Sequence, residues 1–514
     1  MTRFRIFTPF APLAAAVVLT AATVVPRPAD IPGTITVPDA ESPYVVFSIW
    51  VKAGSQNDPA GKEGLAALTA ALLSQGATTD RDYQTILQRL YPMAAGYGAS
   101  VDKEMTVFSG RVHRDNLEAY YELFRAAMLS PAFSEDDFNR IRTRTLNALE
   151  RSRRYARDEE LSKELLFREA YRGTPYEHPV DGYVQSVRSI TLEDVRQFYA
   201  RHYLSNNLVV GLAGGYPQAF VQRVRSDFDA LPAGDVAVVP PPSPRMPDGV
   251  HVIIVEKETD ATAISMGFPI PVLRGEPDFI PLMTANSWLG EHRNSFSRLY
   301  QVIRETRGMN YGDYSYIEAF PAGFATQQPR VNVSRRSQLF EIWIRPIALT
   351  EPGNLHDRSL FATRAAWHEL QKLVEHGLPA TEVERTKEFL HNYTVNWGNT
   401  LSRQLAYAID DAFYGIAEPG FLSSIRPGLA ALTPARVNDA VRRSLQHENM
   451  YVVFITADAE GMKRRLLSGE PTAITYAGER SQQVMDEDRI IASYPIRVRE
   501  ENITIIPIAE VLER

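Results

Sequence analysis

Residues 44–52 read YVVFSIWVK, a run of β-branched and aromatic side chains that predicts a strand. The stretch that follows at 64–78, GLAALTAALLSQGAT, repeats its apolar positions at helical spacing between Gly64 and Gly76 and predicts an amphipathic helix. A second helix is predicted at 81–90 and a strand at 106–112, TVFSGRV. Leu117, Tyr120, Tyr121, Phe124 and Met128 set one face of a helix over 115–129. Ser134, Glu135, Asp136 and Asp137 read as the capped start of a long charged helix reaching to about residue 157. NLVVGLAG at 207–214 reads as a short buried strand that ends in glycine.

A proline-rich segment at 236–248, VAVVPPPSPRMPD, biases the backbone towards extended, semi-rigid linker. Beyond it a similar order returns. Strands are predicted at 251–257, 263–268, 330–333, 339–344 and 450–456 (MYVVFIT), with helices from 282, at 361–376 and at 380–390. Two similar halves of about 200 residues each imply a duplicated domain. The reading is therefore a leader at 1–22, domains at 23–235 and 249–470 joined by the linker, and an extension at 471–514. Strand and helix runs mix without strict βαβ alternation. The expected fold class is α+β, each half a mainly antiparallel sheet covered by helices.

Composition narrows the function. Hydrophobic residues make up 44% and charged residues 23%, a globular balance, and the net charge of -7 with no long basic run argues against a nucleic-acid partner. The absence of cysteine removes disulfides, thiolate metal sites and cysteine nucleophiles, so any transition metal would need His, Asp and Glu. The N-terminus has a basic start, MTRFR, then the uncharged run IFTPFAPLAAAVVLTAA. This is the pattern of a secretory signal cleaved after Ala22, with a periplasmic location expected. The other reading of the same run is an uncleaved anchor, since 6–25 could just span a bilayer.

Several segments, in order, carry a resemblance. VKAGSQNDPAGKEGLAALTAALLSQGATT resembles a strand, acidic loop and metal helix; VHRDNLEAYYELFRAAMLSPAFSEDDFNRIR resembles the helix pair that follows. YRGTPYEHPVDGYVQSVRSITLEDVRQFYARHYLSNNLVVGLAG and, in the second half, FSRLYQVIRETRGMNY and GLPATEVERTKEFL extend the likeness over nearly the whole chain. Together they resemble the insulinase/pitrilysin family of inverted zinc peptidases.

That family's helix carries His-x-x-Glu-His, two imidazoles at i and i+4 on one face with a general base between them. The resemblance puts those positions at Ala67, Ala70 and Ala71, and the third ligand near Leu149 or Glu150. Methyl groups neither bind zinc nor accept protons. Glu150 alone would not hold a metal and reads as a surface carboxylate beside Arg151 and Arg154. No two of the ten histidines are three to five residues apart.

The resemblance also implies what is retained. Family members use an Arg and a Tyr of the second half, seven residues apart, to bind substrate and stabilise the oxyanion. The matching residues are Arg304 and Tyr311, two donors suited to developing negative charge. Nearby GEHRNSFSRL replaces a more glycine-rich turn, with no role assigned to His292 or Arg293, while Arg298 is expected to orient the helix. The strand in AAGYGASVDKEMTVFSG resembles the family's substrate edge, so Gly98, Ala99, Ser100 and Val101 are expected to bind extended peptide by strand addition. A plain glycine-rich hairpin remains the alternative for that segment.

The combined expectation is a metal-free subunit of a two-chain zinc peptidase, like those of bacterial two-component peptidases and the mitochondrial processing peptidase. It would carry no cofactor itself. Zinc would sit in an insulinase-like partner carrying His-x-x-Glu-His, and the substrates would be peptides. Two other readings stay open: an inert scaffold or assembly subunit of the same fold, and an enzyme with a novel metal site.

Overall fold

A computed structural model describes residues 33–318, 329–348, 356–472, 474–476 and 478–514; the expected leader at 1–22 lies outside the described residues. The first half runs β1 (Thr34–Pro38), β2 (Tyr44–Val51), α1 (Leu65–Gln75), α2 (Tyr83–Leu90), β3 (Gly96–Val101), β4 (Thr106–His113), α3 (Leu117–Leu129), α4 (Glu135–Asn147), α5 (Asp158–Ala170), α6 (Val184–Ser189), α7 (Leu192–His202), β5 (Leu208–Gly214) and α8 (Gln218–Asp229). The second half runs β6 (Val250–Glu256), β7 (Ala261–Ile270), α9 (Phe279–Gly290), β8 (Asp313–Tyr316), β9 (Gln338–Ala348), α10 (Asp357–His376), α11 (Ala380–Tyr393), α12 (Leu401–Tyr414), α13 (Phe421–Ala430), α14 (Pro434–Ser444), β10 (Met450–Thr456), α15 (Ala459–Ser468), α16 (Gln482–Ala492) and β11 (Val498–Pro507).

The first sheet has the order β1-β5-β2-β4-β3 and the second β11-β6-β10-β7-β9-β8. In each, one early strand runs parallel to the strand that closes the half, β1 to β5 and β6 to β10, and the strands beyond them are antiparallel. Strand β11 is the addition, pairing parallel to β6. The fold is α+β, two mainly antiparallel sheets covered by helices.

Strands β2 and β10 are apolar at consecutive positions, where a half-exposed strand would alternate. Both are buried on both faces because the halves exchange cover. Helix α12 lays Leu405, Ile409 and Phe413 against Val46, Trp50, Met105, Val107, Val209 and Ala213 of the first half. Helix α5 returns the arrangement, joining Leu161 and Leu165 to Ile253, Val255, Val453 and Ile455 of the second. Ser162 and Ser265 share a hydrogen bond of 2.9 Å across this contact.

Two expectations change, and a third, the long charged helix, holds with one added feature. Helix α1 is buried on nearly every side rather than amphipathic, because β3, α3, α4 and α7 surround it. Residues 330–333 form no strand. Their carbonyls serve side chains instead of a ladder: Arg330 O accepts from Arg274 Nη2 at 3.0 Å and Arg335 Nη1 at 2.7 Å, and Val333 O from Tyr414 Oη at 3.1 Å. The charged helix continues beyond α4 through a π-helical turn, Ala148–Arg153, before α5 begins.

After β11, residues 508–514 cross to the first half. Val511 and Leu512 are buried there, and Leu512 O and Glu513 O accept from the Val184 and Gln185 N–H groups at 2.9 and 3.1 Å, capping α6. Arg154 holds Val511 O and the Glu513 carboxylate, each at 2.8 Å.

Candidate functional site

Helix α1 starts at Gly64, whose φ of 100° needs glycine and whose missing Cβ leaves room for Asp181 O. Gly64 has no side chain to cap the helix, so Asp58 does: its carboxylate accepts from Gly64 N at 2.8 Å and Ala66 N at 2.7 Å. Ala67 and Ala71 are half-buried and Ala70 is buried. Thr69 and Ser74 turn their hydroxyls onto the helix's own carbonyls, Leu65 O at 2.8 Å and Ala70 O at 3.0 Å. At the position expected for a third ligand, Leu149 is in the apolar core, and Glu150 is ion-paired with Arg188 rather than with the neighbouring arginines. The side chains at these positions do not fit a zinc ion. Among the described residues no group of three or more His, Cys, Asp or Glu could hold a metal.

Strand β3 is the terminal strand of the first sheet and packs beside α1. It pairs with β4 through Gly98–Ser109, Ala99–Phe108, Ser100–Val107 and Val101–Thr106. Tyr97, Ala99 and Val101 face the core, whereas Gly96, Gly98 and Ser100 are exposed, and no atom lies within 4 Å of where a Cβ of Gly96 or Gly98 would sit. The hairpin tip is fastened to the second half: Glu104 N donates to Ser334 Oγ at 2.9 Å, and its carboxylate accepts from Arg336 N at 3.0 Å, while Tyr176 Oη of its own half donates to the same carboxylate.

Arg304 lies on a π-helical turn, Tyr300–Glu305, and Tyr311 in the loop leading to β8, the terminal strand of the second sheet. Its guanidinium sits 4.6 Å above the Tyr300 ring and donates to the Tyr300 hydroxyl and to Tyr311 O. About a third of the Arg304 side chain is exposed, and the Tyr311 ring is 76% exposed with no hydrogen-bond partner among the described residues. Beneath them Asp313 is buried, accepts from Asn310 Nδ2 at 2.7 Å, and is pushed up to about 8 by burial. Arg298 does not belong to this surface: it forks onto the buried Glu369 of α10 at 2.7 and 3.1 Å and fixes the turn to the helix layer.

Comparison with known proteins identifies the family. The model described as insulinase (peptidase family M16) matches residues 34–182, and the model described as peptidase M16 inactive domain matches residues 189–390. The chain belongs to the insulinase family. Among curated relatives, an uncharacterized zinc protease of Streptomyces coelicolor is 26% identical over 370 residues, 70% of this chain and 74% of the relative. Among solved structures, a peptidase M16 inactive domain of Pseudomonas fluorescens aligns with a TM-score of 0.71 at 22% identity, over 82% of this chain and 94% of that one. A protease of Helicobacter pylori aligns with a TM-score of 0.67 at 18% identity, over 82% and 96%. Both structural likenesses concern the fold.

Three residues of the site escaped the sequence reading. Asp58 caps a helix whose first residue lies seven positions after it, outside the usual capping interval. Glu104 finds two of its partners, Ser334 and Arg336, in the other half. Tyr300 stands four residues before Arg304, a spacing that places two helical side chains together and that could have identified it.

Proposed function

We propose that this chain is the metal-free subunit of a two-chain zinc peptidase, which holds extended peptide and presents Arg304 and Tyr311 to its transition state. The zinc and its water would come from an insulinase-family partner carrying His-x-x-Glu-His. One observation carries the reading. The first half keeps the helix beside an open sheet edge but has methyl groups at the ligand positions, while the second half keeps an exposed Arg and Tyr. Packing alone does not require an exposed phenol or a third-exposed guanidinium. In the low-dielectric space between two chains, both would act as oxyanion donors. Export to the periplasm, where such a complex would meet peptides, is part of the proposal.

The test is hydrolysis of an internally quenched peptide by the chain alone, by a zinc-bearing family member alone, and by the mixture. The expected result is no chelator-sensitive hydrolysis by the chain alone and a gain on mixing that Arg304→Ala removes. Chelator-sensitive hydrolysis by the chain alone contradicts the division of labour. A mixed complex indifferent to Arg304→Ala and Tyr311→Phe favours a scaffold.

A further inference from the structure

Arg293 lies in the turn after α9, with φ of 58°. Left-handed backbone is strained for any residue with a Cβ, and glycine would take it freely. The other described non-glycine residues with positive φ are Ala94, Phe133, Asn332 and Leu512, none of them charged. Arg293 is exposed, and among the described residues its side chain has no hydrogen bond, ion pair or ring contact. A strained backbone that presents an unpaired guanidinium contributes nothing evident to stability. Such outliers concentrate where a side chain must be aimed.

The neighbouring His292 shows where Arg293 is presented. The His292 ring is buried, 4.3 Å from Tyr314 and parallel to Trp343 at 6.0 Å, with Nδ1 2.9 Å from Tyr316 Oη. Tyr314 and Trp343 form one aromatic cluster with Tyr300, which carries Arg304 on its ring. Arg293 thus follows directly on a residue packed into the same aromatic cluster that carries Arg304, and its charge is felt by Tyr314 and Tyr316 of the edge strand β8. The carboxylates nearby are engaged or enclosed: Glu159 pairs with Arg345 at 3.3 Å, and Asp313 and Glu341 are buried.

We infer that Arg293 is a specificity residue that receives a carboxylate of the bound peptide, either an acidic side chain or the C-terminal carboxylate. The assignment rests on the peptide-holding role proposed above. A planar guanidinium with all its donors free matches the two oxygens of a carboxylate, and the buried cluster beneath the turn gives it a rigid base.

The test is fluorescence anisotropy with the full chain and three labelled peptides: an extended peptide with two glutamates, its glutamine counterpart, and the glutamate peptide with an amidated C-terminus. Arg293→Gly is expected to weaken the glutamate peptide about tenfold and, by relieving strain, to raise the melting temperature by about 2 °C. Arg293→Gln keeps the strained backbone and should lose the affinity without the gain in stability. Weakening by glutamine replacement assigns the contact to acidic side chains, and weakening by amidation to the C-terminus. Equal binding of all peptides by the unaltered and Arg293→Gly chains overturns this assignment alone, as does a lower melting temperature without a binding change. Failure of the unaltered chain to bind any of the peptides counts against the peptide-holding role and removes this assignment with it.

Discussion

Arg304 reaches along the chain to donate a hydrogen bond from Nη1 to the backbone carbonyl of Tyr311 at 3.1 Å. The two residues are thus joined through backbone rather than through their end groups. The guanidinium keeps other donors, the phenol keeps its hydroxyl, and the Tyr300 ring supports the arginine from below.

Arg304→Ala and Tyr311→Phe should each slow the assembled peptidase by roughly 10- to 1000-fold, the range of a lost oxyanion donor. Because the Tyr311 ring is exposed, Tyr311→Phe should leave the melting temperature of the isolated chain unchanged. Steady-state kinetics on the complex and thermal denaturation of the chain separate the two effects.

The exchange of α5 and α12 makes each sheet's cover the property of the other half. Phe413→Ala should cost about 3–5 kcal/mol, since the ring is buried against Trp50 at 5.3 Å. The loss should appear in the unfolding of both halves together. Denaturant titration followed by probes in each sheet would check this; two separate transitions, with only the second half destabilised, would speak against mutual cover.

Shortening the chain after Pro507 removes Val511 and Leu512 from the first core and uncaps α6. The expected cost is about 2–4 kcal/mol. Amide exchange at Val184 and Gln185 should accelerate first, because their N–H groups donate to Leu512 O and Glu513 O. Unchanged protection at those amides would contradict the clasp.

Much of this architecture was legible in the chain. Runs rich in β-branched and aromatic residues marked β2 and β10, and MYVVFIT delimits a strand to the residue because nothing in it competes with the ladder. The family resemblance located α1, β3 and the Arg/Tyr pair. What the pattern could not carry was partnership at long range. The helices that cover each sheet come from the opposite half, and RVNV at 330–333 has strand-like composition but gives its carbonyls to Arg274, Arg335 and Tyr414. Nor does a single sequence distinguish a left-handed arginine from any other loop residue, so Arg293 acquired meaning only with its backbone angle.

Asp313 gives a pH signature. Burial raises its carboxyl from an ordinary 3.8 to about 8, so the folded chain favours the neutral form. That contribution is complete below about pH 4 and is lost as pH rises towards 8. Asp313→Asn keeps an acceptor for Asn310 but cannot ionise. The stability of the unaltered chain relative to this variant should therefore fall steadily between about pH 4 and pH 8. His292, lowered to about 4 by burial, acts in the opposite sense, its contribution being lost as pH falls from 6.5 towards 4. Melting curves of the unaltered chain, Asp313→Asn and His292→Gln across that range check both signs.

The central claim is that the alanines on α1 leave this chain unable to hold the catalytic metal. Its most direct test is zinc content by elemental analysis of the full chain, purified without a partner, incubated with zinc and freed of excess by gel filtration. The account predicts zinc far below stoichiometric, with no change in melting temperature on adding the metal. Stoichiometric zinc that stabilises the chain and is removed by chelator would contradict it.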